Sequence, residues 1–254
     1  MRPLTTRSVI ASSLLGMDPP TMPVRSLIRL TSLFGLSENR TRVALSRMLA
    51  AGELSSDGQG TYSLSGPLLE RQRRQRASRD AATGPFDGSW HMVVLASIAA
   101  TPRVRAARRA ELRRARLAEQ RDGVWLRPAN LALALSRELD ASATRFAVVP
   151  EDDPVTLARS LFDLAGWETG ASQLEEMMAA TPLRDSGDLA QGFMVSAAVL
   201  RHLQADPLLP DELLNASWPG SRLRDRYRHF DARYRVLLAE FHRSVGAPSL
   251  EIAQ

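Results

Sequence analysis

The sequence predicts a multidomain α+β protein, and three observations carry that expectation. Helical patterns separated by turn residues open the chain and run into a glycine-tipped hairpin. Apolar strand-like runs then alternate with helical ones between Trp90 and Pro150, and from Pro154 onward only helical patterns recur. With 254 residues and 44% hydrophobic content, the chain can bury two or three small cores.

The first helix is expected from Thr5 or Thr6, either of which can cap it, to about Leu15, where "DPP" stops it. Its apolar patch is short and no small-residue cleavage pattern follows, so it reads as a helix and not as a signal peptide. Pro23 suits the first turn of a second helix, along which Val24, Leu27, Ile28, Thr31 and Phe34 recur as one buried stripe. Gly35 is its stop. Ser37 then caps a third helix after a short turn, running to about Ala51, and Gly52 closes it. In "ELSSDGQGTYSLS", Glu53 to Ser65, Leu54 and Ser56 alternate, "DGQG" turns the chain, and Tyr62 and Leu64 share a face of the returning strand. Helix, helix–turn–helix and hairpin form the order of a winged helix-turn-helix, assigned to residues 1–67.

"LLERQRRQRASR" reads as a basic helix within a linker over residues 68–87. The next domain, 88–150, starts with "WHMVVLASI" as a buried strand and "PRVRAARRAELRRA" as a basic helix. A hairpin turning at Asp122 and Gly123 follows, then a helix over "NLALALSREL" and a last strand over "ATRFAVVP". The order βαββαβ is that of a ferredoxin-like sandwich. "EDDP" punctuates the exit, and residues 151–254 are expected as a mainly helical C-terminal domain serving effector binding and dimerisation.

The third helix holds the chemistry. On a helical wheel Thr41, Leu45, Met48 and Leu49 share the inward side, while Asn39, Arg40, Val43, Ser46 and Arg47 face away. Arginine can take both acceptors of guanine, asparagine both groups of adenine, and valine methyls can meet the thymine methyl. An ordinary solvated helix face has the same composition. The preceding helix and turn and the following hairpin favour a helix that lies in the major groove of duplex DNA. Arg42 sits at the boundary and is suited to bracing or to a phosphate. Ser37 at the helix start, Gln59 at the hairpin tip and Arg25 near the start of the second helix complete the expected DNA-binding set. The tip "DGQG" has no arginine and should offer mainly Gln59 and backbone amides, with little electrostatic attraction.

Charge is divided in the same sense. All 33 basic residues are arginine. Residues 1–79 carry 12 arginines against 5 acids, whereas residues 150–189 carry 2 against 9. A cationic front suits a polyanion and an anionic rear does not. There is no cysteine, which removes disulfides, thiol catalysis and cysteine zinc sites and fits the cytoplasm. No apolar run of about eighteen residues suggests a membrane span. Phosphate-binding loops, dinucleotide glycine motifs and His-Glu-x-x-His are absent, and the histidines at 91, 202, 229 and 242 are scattered, so neither catalysis nor a metal is expected.

Three segments together resemble the PaaX-like family of bacterial transcriptional repressors: "LFGLSENRTRVALSRMLAAGEL"; "FDGSWHMVVL" with "DGVWLRPANL"; and "RHLQADPLLPDELLNASWPGSRLRDRY", Arg201 to Tyr227. Asn215, Glu53 and the run Leu161 to Leu164 depart from the family pattern. The resemblance implies a homodimeric repressor of catabolic genes, with a central domain resembling CRISPR-associated endoribonucleases and release from the operator by an aryl- or acyl-coenzyme A thioester. Those nucleases hold a metal with an acid at the end of the first strand, but here that strand ends "LASIAA". A nuclease is therefore the lesser alternative, beside an effector-independent activator or architectural DNA-binding protein. Arg105, Arg108 and Arg109 on the central helix, with Arg201 and His202 before the Asp-Pro-Leu-Leu-Pro run, are the expected effector-binding set, although a solvated helix paired with neighbouring acids would also use such arginines.

Overall fold

In the computed structural model, which describes residues 5–79, 83–95 and 101–246, ten helices and two small antiparallel sheets build a mixed α+β fold. Contacts divide the chain into two units, one of residues 1–80, 171–204 and 220–254, the other of 81–170 and 205–219. The stretch 151–254, expected as one helical domain, is thus shared between both. Residues 80–82 of the expected linker and 96–100 of the expected first central strand lie outside the described residues.

In the first unit Thr5 caps α1 (Thr6–Leu15), its hydroxyl accepting from Ser8 N at 3.1 Å. Next comes β1 (Thr21–Pro23), which sequence reasoning did not find. Three residues carry no period, and the partner strand β3 (Thr61–Leu64) is some forty positions away. Pro23 ends β1 and is also the N-cap of α2 (Val24–Ser32), so the helix starts one residue later than expected. β1 is an edge strand, in the order β1-β3-β2, where a residue without an amide donor is tolerated.

The buried arc of α2 is Ser26, Leu27, Leu30 and Thr31, and the expected stripe is corrected accordingly. Val24 and Ile28 are only half-buried because α2 contacts both α1 and α3 (Glu38–Ala50), which centres its core face on Leu27 and Leu30. Phe34, beyond the helix end, meets Phe193 edge-on at 5.1 Å. Thr31 and Thr41, both fully buried, join α2 to α3 through their hydroxyls at 2.7 Å. One core gathers Ile10, Leu14, Leu27, Leu45 and Met48 with Leu54 of β2 (Leu54–Ser56) and Leu64 of β3.

α4 (Gly66–Arg79) starts as a packed helix and not as a free linker. Leu68 enters the same core, and Gln72 Nε2 donates to the carbonyls of Leu15 and Met17, at 3.2 and 2.9 Å, at the open end of α1. A Cβ at Gly66, whose φ is +47°, would stand 2.7 Å from the Gly52 carbonyl oxygen, so this junction needs glycine twice over. The unit is completed by the second half of α8 (Leu164–Ala179), by α9 (Leu189–Gln204) and by α10 (Gly220–Gly246). α9 packs on α10 and α4.

The second unit is a sheet in the order β5-β6-β4-β7, every neighbour antiparallel. Its strands are β4 (Trp90–Leu95), β5 (Ala118–Arg121), β6 (Val124–Pro128) and β7 (Ala143–Val148), with α5 (Pro102–Arg114) joining β4 to β5. On one face Trp90 and Leu126 pack with Leu157 and Ala158 of α7 (Pro154–Leu161) and with Leu209 and Leu213. On the other, Val93 and Trp125 pack with Leu112, Leu117 and Leu139.

The helix expected over "NLALALSREL" is reduced to one turn, α6 (Arg137–Asp140). Before it, residues 131–136 alternate half-buried and exposed, and Leu133 and Leu135 reach the core two residues apart. That spacing is an extended chain's. Glu111 on α5 holds the end of this segment, accepting from Ser136 N at 2.7 Å. No described helix is long and apolar enough to cross a membrane.

Candidate nucleic-acid interface

Ser37 starts the candidate surface by capping α3, its hydroxyl accepting from Arg40 N at 3.4 Å. That hydroxyl is therefore engaged within the protein. Thr41, Leu45 and Met48 are buried, and Leu49 is half-buried. Asn39, Arg40, Arg42, Val43, Ser46 and Arg47 are all exposed, so the wheel sorts this helix correctly. Val43 is 42% exposed, a large value for an aliphatic residue between buried neighbours. Asn39, Arg40, Val43 and Arg47 line one shallow groove of about 540 Å³ together with Arg7 and Glu53; Ser46 lies outside it.

Arg40, Arg47 and Arg25 make no ion pair among the described residues, whereas Arg42 is held by Glu38, with Nε to Oε1 at 2.8 Å. Arg7 was missed in the sequence. It pairs with Glu53, Nε to Oε2 at 2.9 Å, tying the start of α1 to the turn after α3. Glu53 departs from the family pattern, and this ion pair is what it does here.

Arg25 is exposed at the second position of α2, and the amide of Val24 before it donates to Gly60 O at 2.7 Å. The hairpin tip thus touches the start of α2. Its amides are not free to bind a ligand, contrary to expectation. Asp57 Oδ1 accepts from Gln59 N at 2.8 Å and Thr61 N at 2.9 Å, and the bonds from Thr61 and then Gln59 hold its carboxyl below the usual range. The Gln59 side chain remains exposed.

The expected effector set does not come together. Arg105, Arg108 and Arg109 lie on α5 in the second unit, Arg201 and His202 in the last turn of α9 in the first. Arg109 is paired with Glu119 at 3.1 Å and Asp122 at 3.2 Å, and Arg105 is also engaged. Arg201 is exposed and lines a pocket of the first unit. Among the described residues no group of three or more histidines or acids is placed to hold a metal ion.

The sequence profile of the PaaX-like protein family matches residues 5–68. A solved structure described as uncharacterized protein Rv0674 from Mycobacterium tuberculosis is 41% identical, with a TM-score of 0.76. The match covers 94% of this chain and 99% of that one. No curated protein matches. The profile match covers α1 to the start of α4, the stretch that presents the exposed face of α3.

Proposed function

The chain belongs to the PaaX-like family, whose description points to a regulator of phenylacetic acid catabolism, and on that premise we propose that it is a transcriptional repressor that binds operator DNA through a winged helix-turn-helix in residues 1–67. One observation carries the reading. α3 exposes Asn39, Arg40, Val43 and Arg47 on a single face, with no acid paired to either arginine among the described residues. Unpaired arginines on a short, well-capped helix are ready to take phosphates and base edges without first breaking ion pairs. The antiparallel order β5-β6-β4-β7 supports a ferredoxin-like reading of the sheet, here with a one-turn second helix.

Arg25, at the positive end of α2, is assigned to a phosphate. Replacing it with alanine should weaken binding to operator and random duplex alike and lower the slope of log K against log salt by about 0.9. An unchanged slope would return Arg25 to the solvated surface.

A single winged helix reads too few base pairs for genomic specificity, so the repressor is proposed to act as a homodimer on an inverted repeat. Footprinting of one isolated half-site by a monomer would reject that. The effector is proposed to be an acyl- or aryl-coenzyme A thioester that favours the DNA-incompetent state. In a titration of the operator complex, such thioesters should release DNA while coenzyme A alone should not. Unchanged operator affinity across the thioester panel would remove the effector and leave DNA binding standing.

A further inference from the structure

The first unit has a second concavity that the DNA-binding face leaves unused. It opens between α1, α4, α9 and α10 and has a cavity volume of about 80 Å³. Leu15, Phe193, Leu200 and Leu238 give it an apolar wall. Gly192 lets α9 approach closely: a Cβ there would stand 2.9 Å from the Tyr234 ring.

Its polar groups are unequally satisfied. Asp231 accepts from Arg235 Nε at 2.8 Å, and the Tyr227 hydroxyl lies 2.9 Å from Ser196 Oγ. Tyr234 is different. It is 8% exposed, lines the same pocket, and its hydroxyl makes no hydrogen bond among the described residues. A buried phenol ordinarily finds a partner. Burial, and then Asp231 and Tyr227, push this one's pKa up, so it stays a protonated donor. Arg201, on the same wall, is exposed and makes no ion pair among the described residues.

We infer that this pocket binds a one-ring aryl group bearing an acyl oxygen, with the ring against the apolar wall, the acyl oxygen accepting from Tyr234, and the anionic part of the ligand meeting Arg201. Size sets the class. An apolar cavity of roughly 150 Å³ takes benzene, so this smaller one admits a single ring held at its mouth, with the substituent leaving outward. A free aryl carboxylate and its coenzyme A thioester share that chemistry. Regulation follows from the walls: Ser12, Ser13 and Leu15 of α1 line the pocket, and α1 packs on α3. An occupant that displaces α1 therefore changes the face that meets DNA. This regulatory part rests on the DNA-binding reading above; ligand binding does not.

The test is calorimetric titration of the full-length protein with benzoate and, separately, with benzoyl-coenzyme A. At least one should bind saturably, and which one does identifies the source. Tyr234→Phe, which removes only an unbonded oxygen, and Arg201→Ala should each weaken that binding about tenfold or more, and Ala197→Leu, filling the pocket, should abolish it. Tyr234→Phe keeps the test decisive if Ala197→Leu does not fold. No binding of either probe, or binding indifferent to Tyr234→Phe and Arg201→Ala, overturns the inference. Ligand-free protein that fails to prefer operator over random duplex would instead sink the DNA-binding reading and leave the titration intact.

Discussion

Replacing Arg47 with alanine should cost about 1–3 kcal/mol of operator affinity, roughly ten- to hundredfold, while affinity for random duplex changes much less. The expectation rests on where the side chain stands. Arg47 is exposed one turn after Val43 and two turns after Asn39 and Arg40, and the four line one groove. Its neighbour Met48 holds the helix in the core, so truncating Arg47 leaves the fold intact. Arg42 is the matched control. It has the same charge on the same helix but is bonded to Glu38 at 2.8 Å, on a pair worth little by itself, and faces the boundary. Arg42→Ala should leave discrimination between operator and random duplex nearly unchanged. Competition binding at fixed salt, with an operator selected from a random duplex library, measures both variants. An equal loss on both duplexes after Arg47→Ala would mean that this face holds phosphates only.

Where local chemistry decided the structure, the sequence could be read. Thr5, Ser37 and Gly52 mark helix ends because capping is a contact between near neighbours, and the inward and outward sides of α3 follow its own period. Where a partner far along the chain decided it, the signal was absent or misleading. β1 exists because β3 pairs with it, and "LALAL" lies extended because Leu133 and Leu135 meet a sheet that their own window does not contain. The Arg201–Tyr227 segment illustrates the difference in function. Its motif residues proved structural: Leu209 and Leu213 pack on Trp90, Asn215 holds Ser217 N at 3.0 Å, and Trp218 stacks on Trp167 at 4.6 Å. Only Arg201 at its start reaches a pocket, and Tyr234, the group that makes that pocket chemically interesting, lies beyond the motif. A lone tyrosine on a long helix has no sequence signature.

Arg127→Ala should destabilise the second unit by about 2–5 kcal/mol, the cost of three orphaned acceptors and a cavity set against the desolvation that is recovered. Arg127 is 2% exposed on β6 and has no carboxylate partner among the described residues. It donates instead to three neutral acceptors: the Pro128 carbonyl at 3.0 Å, the Ala115 carbonyl at 3.0 Å, and Asn130 Oδ1 at 3.1 Å. Ala115 is the C-cap of α5, so the guanidinium closes the negative end of that helix. Asn130 in turn donates to Leu208 O at 2.9 Å, and Arg116 donates to Asp206 O, which fastens the 206–208 turn to the sheet. Burial, and then repulsion from Arg116, bring the Arg127 pKa down to about 10, a sign that the site strains to hold the charge. Removing a buried ion helps only when its partners are removed as well. Here the carbonyls of Ala115 and Pro128 belong to the backbone and stay. Arg127→Met, which keeps the volume, should therefore remain destabilised, and Arg127→Lys should recover only part, since an ammonium cannot reach three acceptors in a planar fork. All four tryptophans, at 90, 125, 167 and 218, lie in this unit, so urea unfolding followed by tryptophan fluorescence reads it selectively. A midpoint for Arg127→Met equal to that of the parent protein would show that the three hydrogen bonds merely offset the burial of the charge.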